Sequence, residues 1–143
     1  MSLKMNKEEV SALLDKEFPQ INHGGRCYHI DWVEPGETQM RLKADDRHLR
    51  PGGTVSGPSM MSLADLAAYV IILAEIGPVA LAVTTSLNIN FLNKPGPGDL
   101  LGHCKILKKG KRLIIVEVDI RSEGQEDLVA HATATYSVPP QAN

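Results

Sequence analysis

Between residues 54 and 74 the chain carries one charged side chain, Asp65. Its neighbours, among them Leu63, Ala64, Leu66, Ala67, Val70 and Ile71, cover every angle of a helix, and a helix apolar all round is a buried one. Desolvating a lone carboxylate is costly, so Asp65 needs a partner or a water-lined cavity. Asp is also a poor helix former. The plain account is an Asp that bonds Ser62 or the backbone of a neighbouring chain. The stronger account is chemical, a general base or nucleophile, because carboxylates in such surroundings concentrate at functional sites. A second candidate is the start of the same helix, at Ser56, Gly57, Pro58 and Ser59. Its free N–H groups and the positive end of the helix dipole can hold a carbonyl oxygen or an oxyanion. Ser56 or Gly57 also serves as an ordinary N-cap, so this signal gains weight only beside Asp65.

Spacing then bears on assembly. Gly57 and Asp65 are eight positions apart, roughly 12 Å along one helix. A catalytic acid and an oxyanion donor must both lie about 3 Å from one reacting group. One chain cannot arrange that. Two antiparallel copies of the helix across a two-fold axis can, with each Asp65 facing the other chain's Gly57. Catalysis by this pair requires a homodimer.

The elements that must hold these residues follow from periodicity. Residues 7–18 place Val10, Leu13, Leu14 and Phe18 at helical spacing, and Pro19 ends that helix. Strand patterns at 26–33 and 38–43 flank a turn at Glu34, Pro35 and Gly36. Residues 44–56 read as a loop, and 58–76 as the buried helix, closed by Gly77 and Pro78. Four strands are expected at 81–92, 100–107, 113–121 and 128–138. In the first, Val83, Thr85, Leu87, Ile89 and Phe91 should share a face. In the third, Ile114, Val116, Val118 and Ile120 should face inward. The tail from Pro139 to Asn143 cannot extend the last strand. One long helix among about six antiparallel strands implies an α+β fold with a curved sheet wrapped around the helix. The expected organisation is an N-terminal helical arm at 1–20 and a single domain at 21–143.

Composition excludes several alternatives. The 143 residues, 43% hydrophobic and 22% charged, fit one domain and exclude disorder and coiled coils. A net charge of -2 and 4% aromatic residues argue against a nucleic-acid partner. A membrane span is disfavoured by the short, Ala-rich helix and by Asp65 at its centre. Cys27 and Cys104 form no paired motif, and the N-terminus has no signal-peptide core, so a cytoplasmic location is expected. Met1, Ser2 and Leu3 read as additions ahead of a natural start at Met5.

The run Gly52, Gly53, Thr54, Val55, Ser56, Gly57, Pro58, followed by Ser62, Leu63, Ala64, Asp65, resembles the hotdog-fold acyl-CoA thioesterases of the phenylacetic-acid-degradation type. The segment from Thr84 through Leu92 resembles that family's first strand after the helix, and the likeness spans residues 50–138. It implies a hotdog fold that dimerises through its sheet, with dimers pairing into tetramers in some members. The implied reaction is hydrolysis of an acyl-CoA or a related small thioester, without metal or cofactor. On this resemblance the Gly57 N–H polarises the thioester carbonyl, and Asp65 of the facing subunit acts as base or nucleophile. Thr84 orients the acid or water. Ser56, Arg50, Thr85 and Met61 are further substrate-binding candidates. The chain departs from the family pattern in having Ser56 for a His, Pro58 for a second Gly, and Arg50 for an Asn that places the nucleophile. An inward Arg50 would pair with Asp65 and weaken it as a base.

Other features carry less. His23, Gly24 and Gly25 copy the family's missing motif but precede a strand, so they read as a decoy. Gly96, Pro97 and Gly98 lack the setting of a dinucleotide loop. His23, His29, His48, His103 and His131 show no metal-ligand spacing. Lys108, Lys109, Lys111 and Arg112 read as a solvated turn ahead of a contact with coenzyme A phosphates. Met60 and Met61 suit core packing or an acyl tunnel. The rivals to hydrolysis are a non-catalytic acyl-thioester-binding module and a hydratase. The latter needs a His acid–base partner near the helix, where the sequence shows none.

Overall fold

Helix α2 (Gly57–Ile76) is the axis of the molecule. The structure is a computed structural model that describes residues 3–96 and 98–140. Met1 and Ser2, Pro97, and the last three residues of the tail lie outside those described. Ser56 caps α2, its hydroxyl accepting from the Ser59 N–H, and Pro58 sits in the first turn, where a missing N–H costs nothing. Gly77 closes the helix at φ 98°, donating its N–H to the Leu73 carbonyl. By length and hydropathy α2 could cross a bilayer, but 72% of its apolar window is buried inside this fold.

Strands β1 (Tyr28–Glu34), β2 (Glu37–Leu42), β3 (Val83–Phe91), β4 (Leu100–Lys109), β5 (Leu113–Ser122) and β6 (Leu128–Ser137) form one antiparallel sheet in the order β1-β2-β4-β5-β6-β3. It wraps α2, which is the hotdog fold. Alternation on β5 is as expected: Ile114, Val116, Val118 and Ile120 are fully buried against the helix. Burying side chains of this size contributes about 1.5–3 kcal/mol each, so the axis and its wrapping depend on each other.

On β3 the expected alternation does not hold. A bulge between Thr84 and Ser86 inserts an extra residue, and such an insertion reverses which side chains face inward. Thr84, Leu87 and Ile89 are half-buried, while Val83 and Thr85 are exposed. Thr85 turns its hydroxyl to the Thr135 carbonyl at 3.1 Å.

The N-terminal helix α1 (Lys7–Glu17) buries Val10 and Leu14 in the same core. The Lys4 and Met5 N–H groups both donate to the Ala74 carbonyl, at 2.8 and 3.1 Å, and Leu3 packs on the core. Phe18 caps α1 and leads into the 3-10 turn Pro19–Asn22. At the far end of α2, buried Glu75 accepts from the Gly36 N–H at 2.8 Å and pairs with Lys109 at 3.1 Å, so one cation of the basic hairpin is tied to the core. Cys27 and Cys104 are buried free thiols.

Candidate active site

The β3 bulge brings Thr84 under α2. Its hydroxyl donates to Asp65 Oδ1 at 2.5 Å. Thr84 is in register with Tyr136 of β6, whose phenol donates to the same Oδ1 at 2.7 Å and lies 3.0 Å from the Asp65 carbonyl oxygen. Among the described residues no donor reaches Oδ2. Asp65 itself is half-buried. Two donors thus fix one carboxylate oxygen and leave the other to act on a proton or a carbonyl carbon. Tyr136 is buried and stacks on Tyr69 at 6.3 Å, and the Tyr69 hydroxyl in turn donates to the Ala80 carbonyl at 2.7 Å. Burial first, and then the negative Asp65, push the Tyr136 phenol above its usual range, so it remains a donor at neutral pH.

Sequence reasoning did not single out Tyr136. The available signal was weak: it ends an inward row of Ala130, Ala132 and Ala134 on β6, the only member with a polar tip. Tyr136→Phe is expected to lower kcat about tenfold with KM little changed, and to cost about 1 kcal/mol of stability for one hydrogen bond. Steady-state kinetics and denaturant melts read both.

The helix start lies in a different place. Ser56 donates its N–H to the His48 carbonyl at 2.7 Å and accepts from the Ser59 N–H at 3.3 Å. No group among the described residues accepts from the Gly57 N–H, as befits the first helical position. Gly57 opens onto a cavity of about 620 Å3 that Arg50, Met60, Phe91 and Lys94 also line. A Cβ on Gly57 would come within 3.2 Å of the Phe91 ring, so any larger residue there would press on that ring. Arg50 is exposed in this cavity and makes no pair with Asp65 in its own chain. Met61 is 41% exposed on the outward side of α2.

Asp65 borders two other cavities. One, of about 330 Å3, is walled by Phe18, Leu66, Tyr69, Ala82, Thr84 and Tyr136. The other, of about 320 Å3, lies under the 3-10 turn and is walled by Phe18, Tyr28, Arg47, His48, Ser62 and Leu66. Gly57 lines neither. Within one chain the carboxylate and the amide face different spaces.

Two expectations about histidine change. His48 does lie beside the start of α2 and in a cavity with Asp65; a loop residue eight positions before the cap is brought there by the bridge between Leu49 and Val55. Its Nδ1 accepts from the Asp45 N–H, and burial lowers its pKa, so it is a neutral structural acceptor. His131 meets Glu117 at 3.2 Å and Asp119 at 3.8 Å through the β5–β6 register. Their ligand atoms lie within 4.8 Å of one another, a grouping invisible to sequence spacing because it crosses strands. These side chains alternate with the buried Val116, Val118 and Ile120 and so point away from α2.

A profile of the thioesterase superfamily matches residues 52–129. The chain belongs to that superfamily. The match runs from the loop before α2 into β6 and therefore includes Gly57, Asp65 and Thr84. A crystal structure of a protein from a Silicibacter species, described as a thioesterase, superposes with a TM-score of 0.89 at 49% identity, covering 98% of this chain and 96% of that one. A phenylacetic-acid-degradation-related protein of Ralstonia eutropha gives a TM-score of 0.76 at 27% identity, over 90% of this chain and 98% of its own. A protein of Saccharolobus solfataricus named as an esterase is 27% identical over 139 residues, 97% of this chain and 89% of that protein. Membership assigns thioester hydrolysis as the class of reaction.

Proposed function

We propose that the protein hydrolyses acyl-CoA thioesters as a homodimer, each site combining Asp65 of one subunit with the Gly57 N–H of the other. The observation that carries this reading is the separation just described. Asp65 is held by Thr84 and Tyr136 with one oxygen free, while the unpaired Gly57 amide opens elsewhere. A second copy supplies each with what it lacks. The surface for that copy is edge strand β3 and the turn leading into it, where Val83 and Phe91 on the strand and Leu81 before it are 55%, 50% and 78% exposed. An exposed apolar edge with an unpaired backbone ladder favours pairing with another chain. Arg50 and Lys94 on the Gly57 cavity favour an anionic carrier such as coenzyme A over a neutral thioester.

In the reaction, Asp65 Oδ2 takes a proton from water as its oxygen adds to the thioester carbonyl carbon. The negative charge moves to the carbonyl oxygen, which the Gly57 N–H of the partner subunit stabilises. Collapse reforms the carbonyl and breaks the carbon–sulfur bond. The Asp65 proton passes to the leaving sulfur, so the products are a carboxylic acid and free thiol. No cofactor is required. Direct attack by Asp65 would instead form an acyl-enzyme anhydride that water then cleaves. The test is thiol release from acyl-CoA substrates of several chain lengths and one aryl thioester. Tight binding with no thiol release across the panel would replace this reading with the binding-module alternative.

A further inference from the structure

We propose that Phe18 is a specificity-determining residue for the acyl group. This inference rests on the thioester reading above. The two cavities flanking Asp65 share only Phe18, Asp65 and Leu66 among their described walls. Asp65 and Leu66 belong to α2, so Phe18 is the one shared residue from outside the helix and borders both spaces. The ring is held edge-on against Tyr69 at 6.4 Å. Tyr69 stacks on Tyr136, which bonds Asp65. The acid therefore stands at one end of an aromatic row and Phe18 at the other.

Both compartments mix apolar and polar walls. The one beside Thr84 sets Leu66, Tyr69, Ala82 and Val83 against Glu17 and Thr84, and its apolar side can take an acyl tail. The one beyond Phe18 sets Ile21, Tyr28 and Leu66 against Arg47, His48 and Ser62, so it too offers a tail apolar walls. Its roof is the segment 19–25, fastened by Arg47, whose guanidinium donates to the carbonyls of His23 and Gly25. Gly24 is required at this fastening: it sits at φ 85°, and a Cβ there would meet Arg47 Nη1 at 2.5 Å. That is the structural role of the His23, Gly24, Gly25 run. With the roof fixed and Leu66 held on α2, the side chain at position 18 sets how readily an acyl group that fills the first compartment continues into the second.

The experiment compares the full-length parent with Phe18→Ala and Phe18→Leu over an acyl-CoA series of increasing length. In Phe18→Ala the ratio of kcat/KM for longer over shorter acyl groups should rise about tenfold over two methylenes, with Phe18→Leu intermediate. A profile that superposes on the parent's would overturn the inference. Non-hydrolysable S-alkyl-CoA thioethers of the same lengths, titrated by calorimetry, read cavity depth without turnover. A length shift in their affinities with no thiol release from any thioester would overturn hydrolysis but support the role of Phe18. Hydrolysis without any shift would do the reverse. Phe18 is 38% exposed, so melting curves of the three proteins should agree closely enough to exclude unfolding.

Discussion

Asp65→Asn is expected to lower thiol release by about 10²–10⁴-fold, the range for loss of a positioned general base. The amide is nearly the same size, and its oxygen can accept from Thr84 and Tyr136 as Oδ1 does. The fold, the oligomer and thioester binding should therefore survive. The loss should fall on kcat, because the carboxylate acts on the proton moved in the transition state. Stopped assays with a thiol reagent measure it, and size-exclusion chromatography checks the assembly. An Asp65→Asn enzyme with parental kcat would remove Asp65 from the mechanism. Asp65→Ala would be a poorer choice, since it leaves a cavity and two donors without an acceptor.

The second large effect is expected at Gly57, where a backbone group is the reactive element. Gly57→Pro deletes its N–H. Proline fits the first helical turn, and the preceding Ser56 already has the extended conformation that a residue before proline adopts, with φ -72° and ψ 155°. Gly57→Ala retains the N–H but adds the same Cβ near Phe91 at 3.2 Å. Comparing the two variants separates the amide from the steric term. Loss of one oxyanion donor costs about 10²–10³ in kcat, so Gly57→Pro should fall that far below Gly57→Ala. Equal activities would assign the oxyanion to another donor.

The parts of this fold that were legible in the sequence are those governed by one dominant force. The buried helix declared itself through unbroken apolar character and clear ends at Pro58 and Gly77, and β5 through alternation. Asp65 was legible because a charge in that setting has few innocent explanations. The β3 bulge was not, since one inserted residue leaves composition and propensity unchanged while exchanging Thr84 for Thr85 on the inner face. Tyr136 was hidden for a related reason: its partnership with Asp65 is 71 positions long, set by strand register and by nothing local. His48 shows the same limit in a loop, where a short bridge between Leu49 and Val55 carries a residue to the helix start. Arg50 was named because it stands where the family carries an Asn, but only the loop geometry places it in the Gly57 cavity and away from the Asp65 of its own chain.

Subunit mixing tests the shared site most directly. Asp65→Asn and Gly57→Pro chains, each nearly inactive alone, are unfolded together and refolded at equal concentration. In a mixed dimer one site joins the intact Asp65 of one chain to the intact Gly57 of the other, and the second site carries both lesions. With random pairing, activity should return to about one quarter of the parental value. If the mixture is no more active than the separate variants although mixed dimers form, carboxylate and amide do not meet across subunits, and no shared site exists.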